Sequence, residues 1–274
     1  MLKQRVTTAV VLLVLFLLAL FGLPEIGWVA FVIVLVTQGS AEWSRLAKLQ
    51  GMKANIFWGL TVAAMLGLAW FDSGSSLGQQ TMLHLMIYAV SVLLWIFVVP
   101  TLLITGWRFE QPAVMVLLGW AVLIPTGLAV MDLRAISPWL LLFVMGLVAV
   151  ADISAYFTGR KFGKRKLAPS ISPGKTWEGV AGAMLGVSIY VVAVWWFNAN
   201  LNSQPVLPGL LLASWWWVGL AVMGDLFESA IKRQAGVKDS GALLPGHGGV
   251  LDRIDALTST LPLAALVILL QRLS

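Results

Sequence analysis

The sequence predicts an all-α, polytopic membrane protein with about nine transmembrane helices and a cytosolic N-terminus. Of its 274 residues, 59% are apolar and only 11% are charged, whereas soluble domains carry about 25% charged residues. The apolar residues form runs of the length that a membrane-spanning helix needs, which is about 20 residues. Turn-forming or charged residues separate successive runs. These observations exclude a soluble globular domain.

Nine apolar runs are the predicted spans. They lie at residues 6–23, 26–41, 55–71, 83–105, 112–131, 138–158, 176–197, 208–231 and 251–271. The first run also resembles a signal peptide, but it is longer than the apolar core of such peptides. No cleavage site of small residues follows it before Pro24. We therefore predict an uncleaved first span.

The positions of Lys and Arg predict the orientation, because cytosolic loops carry an excess of both. With nine spans and a cytosolic N-terminus, all 18 of these residues except Arg134 and Arg272 lie inside. If Pro24 only kinks one long first helix, fewer of them lie inside. Both topologies place the loops 159–175 and 232–250 in the cytosol. We expect a multi-pass protein of the inner membrane whose active site faces the cytosol.

Composition and motif content also predict the organisation of the chain. It has no cysteine, which excludes a disulfide framework or a thiolate metal site. Residues 1–131 carry no chemical motif and are predicted to be a transmembrane scaffold. Residues 132–274, with both cytosolic loops, are predicted to be the catalytic region. The expected environment is a lipid bilayer, and no feature indicates nucleic-acid binding.

Acidic residues concentrate near span ends in the C-terminal half, where an unpaired carboxylate is costly. They are Asp152, Glu178, Asp225, Glu228, Asp239, Asp252 and Asp255. The spacing from Asp225 to Lys232 places Glu228 and Ser229 on the same helix face, and Asp252, Asp255 and Ser259 repeat this spacing. Two such faces at one depth can hold a divalent cation through oxygen ligands. The alternative is a set of structural salt bridges with Lys232, Arg233 and Arg253.

The loop between these helices is rich in glycine. The run Gly246-His247-Gly248-Gly249 lets backbone N–H groups approach an anion closely. The alternative is a flexible connector. Lys, Asp and His residues close to the glycines favour a binding loop.

The segment 152–179 is predicted to complete the site. Its basic residues between Arg160 and Lys166 suit an anionic ligand, although positive-inside anchoring explains them as well. Position 169 is proline, which excludes a P-loop, but Ser172, Lys175 and Thr176 at a helix start can bind phosphate. Separately, Gly179, Gly182 and Gly186 predict close helix packing, within one chain or between two. His84 is expected to be structural.

These residues resemble the phosphatidate cytidylyltransferase family, also called CDP-diacylglycerol synthases. The matching positions are Ser229, Lys232-Arg233, Lys238-Asp239, Pro245-Gly-His-Gly-Gly249, Asp252-Arg253 and Asp255, in the order and spacing of the family. The stretches from Asp152 and from Ser172 to Gly179 are similar to a second common block, with Gly174 as a small departure. The first 130 residues match only as a hydrophobic scaffold.

The resemblance implies Mg²⁺-dependent transfer of CMP from CTP to phosphatidic acid, which gives CDP-diacylglycerol and pyrophosphate for phospholipid biosynthesis. It assigns a catalytic set of Asp225, Asp252, Asp255, Lys232, Asp239 and His247. It assigns a substrate-binding set of Ser229, Arg233, Lys238, Gly248, Gly249, Arg253, Lys175 and Asp152. Asp225 and Asp252 are the expected metal ligands, and a second cation such as K⁺ and a homodimer are left open.

Two other functions compete with this one. A membrane kinase that uses CTP to phosphorylate a lipid alcohol needs similar charges. An ion-coupled transporter also places carboxylates in the membrane, but it predicts charges near the midplane and inverted repeats. The charges here lie at one side and no repeat is visible, which favours an enzyme.

Overall fold

The structure, a computed structural model, describes residues 2–106, 108–109, 111–198, 206–244, 246 and 248–273, without the side chains of residues 2–6 and 77. Its helices are α1 (Leu2–Gly22), α2 (Glu25–Leu46), α3 (Met52–Gly74), α4 (Leu77–Leu93), α5 (Val99–Thr105), α6 (Pro112–Ile136), α7 (Pro138–Phe162), α8 (Trp177–Phe197), α9 (Leu207–Ala235) and α10 (Leu251–Leu273). A π-helical turn, Leu94–Val98, joins α4 to α5. Strands β1 (Lys166–Ala168) and β2 (Ser172–Thr176) pair antiparallel between α7 and α8.

Every predicted span corresponds to a helix, with α4 and α5 forming a single one. Among the described residues, eight helices are long and apolar enough to cross a membrane, and the apolar part of α1, Thr7–Gly22, is shorter. Large apolar side chains such as Trp70, Ile104 and Phe197 are more than 80% exposed on these helices, as lipid-facing residues are. The predicted all-α, polytopic architecture is confirmed.

Side-chain contacts define one end of the helix bundle. The Trp43 indole at the end of α2 donates to the Met115 carbonyl at the start of α6, at 2.7 Å. The Gln234 side chain near the end of α9 exchanges two hydrogen bonds with the Phe109 backbone, at 2.7 and 2.9 Å. The two predicted cytosolic loops, 159–175 and 232–250, connect helix termini at this same end of the bundle. We call it the site end.

A second polar cluster marks the opposite end. The imidazole of His84 on α4 lies 2.8 Å from an Asp132 oxygen on α6 and 3.0 Å from an Asp72 oxygen on α3. The Tyr88 hydroxyl also donates to Asp132, at 2.7 Å. Arg134 donates to the carbonyls at the end of α1 on this side. His84 thus ties three helices together far from the predicted site, which matches its expected structural role.

Helices α7 and α8 pack closely through glycine. A Cβ atom at Gly182 or Gly186 would overlap the side chain of Thr158 or Ser154 on α7. The predicted close packing at Gly179, Gly182 and Gly186 therefore occurs within one chain, between α7 and α8. This contact places the end of α7 beside the start of α8, where the β-hairpin leaves the bundle.

Candidate active site

Lys232 joins the two helices that carry the predicted carboxylates. From α9, its ammonium group donates to an Asp252 oxygen on α10 at 2.6 Å and to a Glu228 oxygen on its own helix at 3.2 Å. The three side chains are 12%, 4% and 5% exposed, respectively. A buried charge is costly unless it is paired, so the loss of Lys232 would leave two buried carboxylates without their cation.

Asp252 anchors the glycine-rich loop to the start of α10. Its second carboxylate oxygen accepts the Ser240 backbone N–H at 2.9 Å, the Ser240 hydroxyl at 2.9 Å and the Gly249 N–H at 2.8 Å. A negative charge in the first turn also interacts favourably with the helix dipole. Both oxygens of Asp252 are therefore already occupied by donors from the protein.

Glu42 on α2 is a residue of this site that the sequence did not predict. It has no exposed surface. Its carboxylate accepts the backbone N–H groups of Val250 and Leu251 at 2.9 and 2.8 Å, and the Ser240 hydroxyl at 3.0 Å. Gln38, one turn earlier, donates to the same carboxylate at 3.2 Å. Glu42 thus satisfies two N–H groups at the start of α10 that have no partner within the helix.

The glycines of the loop make this approach possible. Gly248 has a φ of 81° and Gly246 a φ of 76°, a region that glycine adopts without strain. A Cβ atom at Gly249 would collide with the Glu42 carboxylate and the Ser240 hydroxyl. The loop therefore folds tightly around Glu42 and Asp252.

A second polar cluster forms where the β-hairpin meets α9. The Lys175 ammonium lies 2.6 Å from an Asp225 oxygen, and the Ser229 hydroxyl donates to the other oxygen at 3.3 Å. Asp152 on α7 and Asp255 on α10 lie close enough to Asp225 for the negative charges of the three carboxylates to repel one another. The structure thus brings the two predicted segments into one site, with contributions from α7, β2, α9 and α10.

The start of α8 holds Lys175 in place. Thr176 caps this helix by accepting the Gly179 N–H at 3.1 Å. The Glu178 carboxylate accepts the backbone N–H groups of Lys164 and Arg165 at 3.1 and 3.2 Å, which orders the basic segment. The Thr176 hydroxyl is therefore occupied, whereas Ser172 stays partly exposed on the hairpin.

Other predicted site residues lie on the exposed rim. Lys238, Asp239 and Arg253 are exposed, and so is Arg233, whose guanidinium donates to the Val237 carbonyl at 3.2 Å. All four lie on the loop between α9 and α10 or on the helix ends beside it. Pro245 and His247 lie outside the described residues.

A divalent cation such as Mg²⁺ needs several oxygen ligands at one place. Among the described residues, no three acidic, histidine or cysteine side chains are arranged to hold a metal ion. Asp152, Asp225 and Asp255 nevertheless lie close enough for their charges to repel one another, and one Glu228 oxygen is buried without a hydrogen-bond partner among the described residues. These oxygens are the ligands that Mg²⁺ prefers.

Comparisons with known proteins agree on one family. The model of the cytidylyltransferase family matches residues 3–271. Proteins named phosphatidate cytidylyltransferase from Haemophilus influenzae and Pseudomonas aeruginosa are 36% and 37% identical, and each alignment covers at least 96% of both chains. A protein of the same name from Bacillus subtilis is 30% identical over 95% of both chains.

Proposed function

This chain belongs to the cytidylyltransferase family, and we propose that it transfers CMP from CTP to phosphatidic acid, giving CDP-diacylglycerol and pyrophosphate. The observation that carries this function is the near full-length similarity to relatives that are named phosphatidate cytidylyltransferase. The geometry supports it, because a cluster of acidic and basic groups lies at one end of lipid-facing helices. A charged nucleotide and a membrane lipid can meet at such a place.

The proposed reaction needs charge neutralisation more than proton transfer. An oxygen of the lipid phosphate attacks the α-phosphorus of CTP, and the bond from that phosphorus to the β-phosphate oxygen breaks, which releases pyrophosphate. The attacking oxygen is already anionic, so a strong base is not the main requirement. Positioning and electrostatic stabilisation carry phosphoryl chemistry of this kind. We propose that Lys175 on strand β2 and the exposed Arg253 and Lys238 bind these phosphates.

We propose Asp225 as the main ligand of a Mg²⁺ ion, with Asp152 and Asp255 beside it. When bound, the ion supplies the positive charge that pyrophosphate needs as a leaving group. Asp252, the second ligand expected from the sequence, joins only if Lys232 releases one oxygen, because the other oxygen accepts three donors of the loop. In its present contacts, Asp252 orders the loop and orients Lys232.

The proposed location is the inner membrane, with the site end in the cytosol. The distribution of Lys and Arg supports this orientation. CTP is a cytosolic solute, and phosphatidic acid reaches the same interface through the leaflet. In this orientation Lys175, on strand β2, faces the cytosolic side.

A labelled-nucleotide assay tests the function. Purified protein is incubated with phosphatidic acid, Mg²⁺ and CTP that carries label either on the α-phosphate or on the γ-phosphate. We expect only the α-label in the lipid product and loss of the reaction with a chelator. Transfer of the γ-label instead would identify a kinase. Failure to form a CMP-bearing lipid with any divalent cation would refute the proposal.

A further inference from the structure

Five basic side chains cluster where α7 ends and the β-hairpin begins. They are Arg160, Lys161, Lys164, Arg165 and Lys166, and all five are exposed. The ion pairs that the described residues form all involve other cations. The cluster thus presents positive charges that have no ion-pair partner among the described residues.

These cations continue the lipid-facing surface of α7. Residues three or four positions apart share a helix face, which places Arg160 and Lys161 one turn beyond Tyr156 and Phe157 and two turns beyond Ile153. The three earlier side chains are between 57% and 63% exposed, as lipid-facing residues are. Basic side chains at the end of such a surface lie where the hydrocarbon gives way to lipid headgroups.

Aromatic rings accompany the cations. The Arg160 guanidinium donates to the Tyr156 hydroxyl at 3.1 Å, and the Lys161 ammonium lies 5.2 Å from the centre of the Phe162 ring. Trp177, which begins α8, is 57% exposed. Tyr and Trp are enriched where a membrane meets water. The mixture of basic and aromatic groups therefore fits the headgroup region of a bilayer, which is polar on one side and apolar on the other.

Backbone contacts hold this segment in place. The Glu178 carboxylate accepts the N–H groups of Lys164 and Arg165 at 3.1 and 3.2 Å, and the Arg165 carbonyl accepts the Trp177 N–H at 3.0 Å. A Cβ atom at Gly163 would overlap atoms of α7 and β2, so glycine permits the close turn between them. The cations therefore stand on an ordered support.

We propose that these basic and aromatic side chains form a binding surface for the headgroups of anionic phospholipids that the protein does not convert. A leaflet that contains such lipids has a negative surface potential, which attracts Lys and Arg beside the membrane. In the proposed orientation this leaflet is the cytosolic one. The surface is separate from Lys175 and Asp225, and it goes beyond the proposed reaction because its ligand is not a substrate. A bound headgroup holds the end of α7 against the membrane, where the hairpin that carries Lys175 begins.

The position of the cations also predicts where the acyl chains of the bound lipid lie. A headgroup at Arg160 and Lys161 directs its chains along α7 past Phe157 to Ile153, which the helical rise places about 12 Å from Lys161. The chain has no cysteine, so Ile153→Cys provides a single site for a fluorophore. Leu117→Cys on α6 is the matched position, because Leu117 is 62% exposed and no cluster of basic residues precedes its helix.

The experiment measures quenching of this fluorophore in phosphatidylcholine vesicles that contain a small fraction of lipid with brominated chains. The brominated lipid is either phosphatidylglycerol, which is anionic, or phosphatidylcholine. At position 153 we expect phosphatidylglycerol to quench at a mole fraction at least about fivefold lower, which is the effect of one basic residue beside an anionic lipid. At position 117 the two lipids should quench alike. Equal quenching at position 153, or the same preference at both positions, would overturn the proposal.

Charge removal shows which cations bind the lipid. Arg160→Gln/Lys161→Gln should lose the preference at position 153, whereas the matched control Lys53→Gln/Arg108→Gln, which changes two exposed cations of other loops, should keep it. A retained preference in the first variant, or an equal loss in the control, would refute the surface. Because lost cytosolic charges can disturb insertion, Lys161→Gln is also measured alone. It should at least halve the preference, and a wild-type preference would again refute the surface.

The measurement needs no turnover, so its result holds whether or not CMP transfer is found. CTP and inorganic phosphate are added in turn to the labelled wild-type protein in the same vesicles. Neither should abolish the preference for phosphatidylglycerol, because the surface binds a lipid headgroup at the membrane. Loss of the preference with either one would assign the cations to a soluble anion and overturn the proposal.

Discussion

The carboxylate of Glu42 accepts the backbone N–H of Val250 at 2.9 Å, although the two residues lie 208 positions apart in the chain. This bond links α2, in the region predicted to be a scaffold, to the loop that carries the predicted binding glycines. The same carboxylate binds Leu251 and Ser240, and Ser240 in turn binds Asp252. The N-terminal half therefore helps to shape the candidate active site.

Replacing Glu42 is expected to disorder this loop. Glu42→Ala leaves the buried N–H groups of Val250 and Leu251 without an acceptor, and each such loss costs about 1–3 kcal/mol. We expect a lower unfolding temperature and a decrease in kcat of at least about tenfold, since transition-state contacts depend on accurate positioning. Thermal unfolding and CMP transfer are measured on the same detergent-purified protein.

The control for Glu42 is Glu25→Gln, which alters an exposed acid at the other end of the same helix. It should retain both the stability and the turnover of the wild-type protein. Glu42→Gln keeps one acceptor oxygen and should lie between wild type and Glu42→Ala. Wild-type kcat in Glu42→Ala would show that the loop needs no support from α2.

Hydropathy predicted the spans because lipid-facing helices must be apolar, but it placed the end of the second span at residue 41 instead of Leu46. The residues Ser40, Glu42 and Ser44 look like the start of a polar loop. In the structure they continue the helix, because both serine hydroxyls bond to backbone carbonyls within it and Glu42 bonds to a distant loop. In the sequence, only the i, i+4 spacing of Gln38 and Glu42 indicates that the helix continues to Glu42.

The grouping of Lys175 with Asp225 followed from the expectation that both predicted loops lie on one side of the membrane. Their partners were less predictable. Spacing placed Asp225 and Glu228 on one helix face, yet Asp225 pairs with Lys175 of the hairpin, whereas Glu228 binds Lys232. The partner of each carboxylate depends on how its helix is rotated about its axis towards neighbouring elements, which periodicity alone does not determine.

Asp225→Asn tests the proposed cation site. The change removes one negative charge but keeps the shape of the side chain, so insertion and folding should be retained. We expect kcat to fall by at least about 100-fold, a typical loss for a group that acts on the transition state. The Mg²⁺ concentration for half-maximal rate should rise. Both quantities come from the α-labelled CTP assay at several Mg²⁺ concentrations.

Ser229→Ala is the control for Asp225, because it removes only the weaker bond to the same carboxylate, at 3.3 Å. Its Mg²⁺ dependence should match that of the wild-type protein. A correctly inserted Asp225→Asn protein with wild-type turnover and Mg²⁺ dependence would exclude Asp225 as a ligand.

Lys232→Met is expected to destabilise the protein strongly. Removing one partner of a buried ionic cluster costs about 3–5 kcal/mol, and here both Glu228 and Asp252 lose their cation. The double variant Lys232→Met/Glu228→Gln removes one of the two unpaired charges and should recover much of the unfolding temperature. If Lys232 also acts on substrate, the double variant stays inactive. Recovery of kcat together with stability would show that Lys232 is purely structural.

Gly249→Ala tests whether the loop needs close backbone contact with its carboxylate supports. The added methyl group would overlap the Glu42 carboxylate and the Ser240 hydroxyl, both of which are buried and cannot easily move. Overpacking of this kind costs about 1–3 kcal/mol, and kcat should fall because the start of α10 shifts.

Gly174→Ala is the matched control, since its methyl group meets no atom within 4 Å and Gly174 precedes Lys175 in the other loop. It should keep wild-type turnover. Equal activity of the two variants would mean that the glycine loop adjusts freely around Glu42, and that its tight shape contributes nothing to the reaction.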